Sequence, residues 1–198
     1  MIPVLNGPIT KLLPRWLLAF SCLYVAVPAP VTYAKEAPYS EKIYLSESEA
    51  LQKVFGNLKV STRKLTLNKA QRKALQKQLR RKLTEPYYTL YMGAKTPGGK
   101  PERYALILDE KGKHYPITFI VSLTPTAAVD KVAVMVYRER RGDGVKRRRF
   151  LRQFKGKDKS DAIEVNRDIV HITGSTISSW SIAAGVRKAV ALLETLVV

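Results

Sequence analysis

Five hydroxyl side chains and one glycine gather in the stretch Asp168-Ile-Val-His-Ile-Thr-Gly-Ser-Thr-Ile-Ser-Ser179, which runs directly into a helical pattern ending at Val198. The helix is read from Ile182, Val186, Val190, Leu193 and Val197, apolar residues three or four apart that form one stripe. Thr176 then falls at or beside the first turn, where backbone N–H groups lack helical acceptors and the helix dipole presents its positive end. Phosphate or another anion suits such a place. Gly174 lets the backbone approach a ligand, and Thr173, Ser175, Thr176, Ser178 and Ser179 offer hydroxyls around it. The same residue types also make ordinary caps and loops, so the bare pattern supports a plain helix start as well.

Other chemistries find little support. His114 and His171 are the only histidines, and neither stands in a metal-ligand spacing. The glycines between Gly93 and Lys100 lack the Gly-Lys-Ser/Thr that closes a phosphate-binding P-loop, so they read as a hairpin loop. Cys22 is the single cysteine. Lys11 and Arg15 precede an apolar run from Trp16 to about Val27, and Thr32-Tyr-Ala34 offers a small-residue cleavage site. Residues 1–34 are therefore expected to be a secretory signal peptide or a retained anchor. A chain starting near Lys35 has no disulfide and no thiolate site, and must stand on its hydrophobic core.

The elements that position the hydroxyl loop follow from periodicity. Ser46-Glu-Ser-Glu49 is a capping box ahead of Ala50, Leu51, Val54 and Phe55, with Gly56-Asn57 as the stop. A second helix is expected from about Asn68 to about Lys82, with Leu75, Leu79 and Leu83 on one stripe. The period then becomes extended. Tyr87–Met92, Arg103–Asp109, Ile117–Leu123 and Val129–Tyr137 are β-branched and aromatic runs separated by turn signals. Together these predict an α+β fold: an antiparallel β-meander with helices packed on one face and a C-terminal helix after the hydroxyl loop. A helical segment over residues 35–85 would precede a binding domain over residues 86–198.

The formal net charge is +19, and residues 1–34 contribute only two basic side chains. Such a balance favours anionic partners. Between Arg138 and Lys159 the chain is strongly basic, with Lys146-Arg-Arg-Arg149 followed by Phe150, Leu151 and Phe154, which predicts a short helix docked by its aromatics. Neither stacking aromatics on display nor a reading-head motif accompanies the arginines, which argues against nucleic acid.

The run Thr-Gly-Ser-Thr-Ile-Ser-Ser followed by an apolar terminal helix resembles the flavinylation motif of the FMN-binding domain family. That family includes the flavin-carrying subunits of the Rnf and sodium-pumping NADH:quinone reductase complexes and many small exported proteins. Its pattern is Asp-x-x-Ser/Thr-Gly-Ala-Thr/Ser, and a dedicated flavin transferase esterifies the last hydroxyl to the FMN phosphate. Thr173, Gly174 and Thr176 match; Val170 stands where the motif has Asp, and Ser175 where it has Ala. Asp168 lies two residues too early to take the carboxylate's place. The order of elements resembles the family across nearly the whole mature chain. Tyr115-Pro-Ile-Thr-Phe-Ile-Val-Ser-Leu-Thr-Pro125 resembles the strand and turn set beside the flavin, and Tyr137-Arg-Glu139 begins a segment near the cofactor in relatives.

The resemblance implies an exported electron-transfer flavoprotein, periplasmic or facing the periplasm from the membrane, rather than a turnover enzyme with its own substrate. Thr176 would carry FMN, with Thr173, Gly174, Ser175, Ile177 and Ser178 around the phosphate, and Tyr115 and Glu139 near the cofactor. Tyr115 and Trp180 are candidates to stack on the flavin ring, and His171 to approach its edge; each also reads as an ordinary core or loop residue. Implied partners are a flavin transferase, a membrane or periplasmic redox protein and an anionic membrane surface. The alternative is a flavin-free basic module that binds an anionic surface or partner.

Overall fold

The computed structural model describes residues 39–197, and the expected signal segment lies outside them. Six antiparallel strands among these residues form one sheet: β1 (Lys42–Ile43), β2 (Lys59–Leu65), β3 (Tyr88–Ala94), β4 (Arg103–Lys111), β5 (Pro116–Leu123) and β6 (Val129–Tyr137), in the order β1-β6-β5-β4-β3-β2. Strands β3 to β6 are the expected meander, with ends within two residues of those read from the pattern. The sequence reading names no strand before Tyr87, yet β1 and β2 close the two edges. Lys59 to Lys64 are exposed and only Leu65 is buried, so β2 has no core stripe and is held by its backbone ladder to β3. The segment over residues 35–85 thus brings two strands as well as two helices.

Capping sets the helix starts. Helix α1 (Glu47–Phe55) has the Ser46 and Glu49 capping box, and α2 (Lys69–Leu79) has a reciprocal pair from Asn68 and Gln71. Helix α2 ends three residues before Lys82 because Arg80 takes a left-handed conformation, with φ 53°, and its N–H closes back on Gln76 and Lys77. Leu83 is nonetheless buried with Leu75 and Leu79.

Helices cover both faces of the sheet, not one. Alternation along the strands explains this: Leu106 and Leu108 point into the core shared with α2 and with α4 (Thr176–Leu196), while Ala105 and Ile107 point to the other side. There they meet Ala50, Val54 and Phe55 of α1. The basic run forms the short helix α3 (Arg148–Leu151) and a 3-10 turn over Arg152–Phe154. Phe150 and Phe154 anchor it, both fully buried and edge to face at 5.4 Å.

Helix α4 is fixed tightly in register. Ile182, Val186, Val190 and Leu193 are buried as the stripe requires. A Cβ on Gly185 would stand 2.7 Å from Glu110 Cγ and closer still to the Phe119 ring, so the helix backbone lies directly on β4 and β5. One turn on, Lys188 is 1% exposed and pairs with Glu110, 3% exposed, at 2.7 Å. Glu85 at 3.0 Å on the lysine and Arg81 at 2.7 Å on Glu110 extend the pair into a network.

Candidate functional site

The first turn of α4 faces two loops from distant parts of the chain. The β4–β5 turn is tight: Gly112 N–H donates to the Tyr115 carbonyl at 2.9 Å, and a Cβ on Gly112 would sit 2.7 Å from that oxygen. Glu139, just beyond β6, is buried, and its Oε1 accepts the N–H groups of His114 at 2.5 Å and Tyr115 at 3.0 Å. Its carboxylate thus fastens the turn to the loop after β6.

That loop closes on α4 through hydroxyls. Tyr137 Oη donates to the Arg141 carbonyl at 2.7 Å and lies 2.8 Å from Ser178 Oγ. A phenol has one hydrogen, so Ser178 is the donor within the hydroxyl pair. Burial, with the charges of Glu139 and Asp143, pushes the Tyr137 hydroxyl above its ordinary pKa, although the bond from Ser178 opposes this. It stays a neutral donor at physiological pH. Gly142 crosses above with φ 94°; a Cβ there would lie 2.6 Å from Tyr137 Oη and 3.1 Å from Ser178 Oγ, so only glycine fits.

The hydroxyls of the loop divide by role. Ser178 is bound to Tyr137, and Ser179 Oγ donates to the Ser175 carbonyl at 2.9 Å while accepting the Ile172 N–H at 3.3 Å. Both are structural. Ser175 precedes the helix and gives it no side-chain cap, so the N–H groups of the first turn stay available. Thr176 is the first helical residue and is exposed; among the described residues its hydroxyl has no hydrogen-bond partner. Gly174, at φ 77°, has open space where a Cβ would go.

Between the helix start and the two loops lies an open cleft of about 440 Å³, lined by Lys113, His114, Arg140, Arg141 and Gly142 on one side and by Gly174 to Ser178 on the other. The size suits a ligand pocket. Lys113, Arg140 and Arg141 have no carboxylate partner among the described residues, and Glu139 is turned onto backbone amides. Free amides, a helix N-terminus, a free hydroxyl and three cations make a cradle for a phosphate.

Of the residues singled out in the sequence, Gly174, Ser175, Thr176, Ile177, Ser178 and Glu139 come together at this cleft. Thr173, exposed on the loop before it, and Tyr115 lie outside the lining; the Tyr115 ring packs edge to face on Tyr39 at 5.3 Å. His171 also lies outside, with Nδ1 3.3 Å from Asn166 Oδ1. Trp180, about half exposed one helical turn from Thr176, follows Ile177 on the same face. Of the opposing wall, Lys113, His114 and Gly142 escaped the sequence reading as a site, while Arg140 and Arg141 entered it only within the basic stretch from Arg138 and the segment opened by Tyr137-Arg-Glu139. Its one local signal is a glycine after paired arginines, and only the sheet topology sets that glycine over α4.

The structure also settles where the loop's carboxylate goes. Val170 is 72% exposed. Asp168 points inward, its Oδ2 2.8 Å from Lys157 Nζ and 3.0 Å from the Ile163 N–H, with Oδ1 accepting from the Glu164 N–H at 2.8 Å. Burial raises the Asp168 pKa, but Lys157 and the two amides outweigh it and hold the carboxyl below the ordinary range. Asp168 staples its own loop and offers nothing to the cleft.

No curated protein matches the chain. Residues 112–191, from the tight turn at Gly112 through β5, β6 and the cleft into α4, match the family model described as the FMN-binding domain.

Proposed function

We propose that the protein is an exported electron carrier whose FMN is joined by a phosphoester to Thr176 Oγ1. The observation that carries this reading is the state of Thr176: exposed, without a hydrogen-bond partner among the described residues, and first in a helix whose opening amides the preceding Ser175 side chain does not cap. FMN fits the residues present. Its phosphate suits the uncapped turn and the cations Lys113, Arg140 and Arg141, while Ile177 and Trp180 offer exposed apolar surface beside it. The bound flavin supplies one- or two-electron chemistry, and the protein supplies position and electrostatics. Lys113, Arg140 and Arg141 lower the cost of negative charge in the cleft, which raises the potential of any group reduced there. Tyr137, Glu139 and Gly142 keep the cleft's two walls in register.

As the ester forms, Thr176 Oγ1 displaces an oxygen-bound leaving group from the flavin's phosphorus, that P–O bond breaking and the hydroxyl proton departing with the leaving group, so the mature chain weighs one FMN less one water more than the bare polypeptide. A flavin transferase performs this step in the proposal, and a membrane or periplasmic redox protein exchanges the electrons. A second reading has one observation behind it: the loop surface carries Val170 and no carboxylate, which favours FMN held by the cleft without an ester.

Thr176→Val separates the two. On the ester reading, flavin stays with the wild-type polypeptide through acid precipitation and is absent from the variant. Yellow supernatants from both proteins, over colourless pellets, would show that FMN is held without the bond. Protein that takes up no FMN in either form would leave the flavin-free basic module as the surviving reading.

A further inference from the structure

The larger groove of the molecule, about 720 Å³, shares no lining residue with the flavin cleft and lies against the outer edge of β6. On that edge β1 pairs only with Val136 and Tyr137, and the N–H groups of Tyr44 and Leu45 reach only the Met135 carbonyl. At the other end Val129 bonds to Gly156 and Lys157. Between these brackets, from Asp130 to Val134, no described residue pairs with the outer edge. Val132, Ala133 and Val134 have buried side chains, at 3–5% exposure, and their strand forms the floor of the groove.

The walls of this gap are basic. Lys53 stands at the end of α1 on one side; Arg148, Arg152 and Lys155 stand on α3 and its following turn on the other. None of the four has a carboxylate partner among the described residues. The single acid of the groove, Asp130, is neutralised by Arg103 at 3.3 Å.

We propose that this groove docks an acidic, extended segment of a partner protein, which adds as a short strand to the open edge of β6 while its carboxylates meet the basic walls. A strand edge offers amides and carbonyls that another extended backbone can pair with, and the flanking charges select which backbone. Lipid headgroups and nucleic acid would use the charges but leave the edge unpaired. Strand β6 leads straight from this gap to Glu139, so a partner seated here lies along the strand that builds the flavin cleft.

The probe is a fluorescein-labelled peptide of alternating Val and Glu or Asp, titrated with the full chain and followed by anisotropy. A second peptide is identical but N-methylated at alternate amides, which blocks pairing along one side. The proposal expects saturable binding of the first, binding of the second about tenfold or more weaker, and a similar loss for Arg148→Glu/Arg152→Glu. Both arginines are exposed, and unchanged FMN content reports an intact fold in the double variant. Equal binding of the two peptides to the wild-type protein overturns the proposal. So does tighter, Arg148- and Arg152-dependent binding to phosphatidylglycerol vesicles or to a single-stranded oligonucleotide.

Discussion

Tyr137 Oη and Ser178 Oγ meet at 2.8 Å in the buried space below Gly142, and this contact joins the last residue of β6 to the first turn of α4. The turn that carries Thr176 is therefore positioned by the sheet as well as by the loop before it, whose Ile172 N–H bonds to Ser179 Oγ. Tyr137→Phe removes one hydroxyl and leaves two partners, the buried Ser178 Oγ and the Arg141 carbonyl, short of a bond. A loss of about 1–3 kcal/mol is expected, seen as a lower midpoint in thermal unfolding. FMN content should fall with it. A variant with wild-type stability and flavin content would show that the hydroxyl pair positions nothing.

Gly185 makes a second, independent demand on α4. An alanine there must displace the Phe119 ring or the Glu110 side chain, both buried in packed surroundings. Gly185→Ala is expected to destabilise by about 1–3 kcal/mol despite alanine's better helix propensity. Denaturant unfolding measures the sign, and a more stable variant would contradict the close approach.

The Lys188 and Glu110 pair gives a third test. Lys188→Met leaves the Glu110 carboxylate buried with Arg81 as its remaining partner, at an expected cost of about 3–5 kcal/mol. Adding Glu110→Gln removes the stranded charge and should restore part of that loss. Additive effects of the two changes in urea titrations would show that the pair is not coupled.

Much of this architecture was legible because the core strands write their burial into the sequence. Leu106, Leu108, Phe119 and Val121 belong to β-branched or apolar runs bounded by turn residues, the capping box at Ser46 announces its helix, and the stripe of Leu75, Leu79 and Leu83 announces the next. Strand β2 left no such mark, since six of its seven side chains face solvent and its pairing is carried by the backbone. The two-residue β1 is too short to show a period. For the site, the hydroxyl loop was readable as a local motif. The wall from Lys113 and Arg140 to Gly142 was not, because it faces Thr176 only through the pairing of β4, β5 and β6. Glu139 drew notice as a neighbour of the cofactor; its observed partners are the amides of the β4–β5 turn.

Asp168 predicts a pH dependence. Its carboxyl is held below the ordinary range, so its contribution to stability is complete above the unfolded value of about 3.9 and is lost as pH falls through the folded value. Asp168→Asn should be less stable than the wild type by about 1–3 kcal/mol near neutral pH, with the gap narrowing below about pH 4. Urea midpoints measured from pH 7 down to pH 3 test this. A gap that stays constant across that range would mean the carboxylate's charge plays no part in holding Lys157 and the loop amides.

The central claim is that Thr176 carries the flavin, and intact mass of the denatured polypeptide tests it most directly, on protein produced from the full sequence in a host that supplies the flavin transferase. The account predicts a chain heavier than the bare polypeptide by one FMN less one water, with the addition mapped to the peptide containing Thr176 and absent from Thr176→Val. An unmodified mass in yellow protein would contradict the ester and leave FMN held by the cleft alone, and an unmodified mass in colourless protein that takes up no added FMN would contradict the carrier itself.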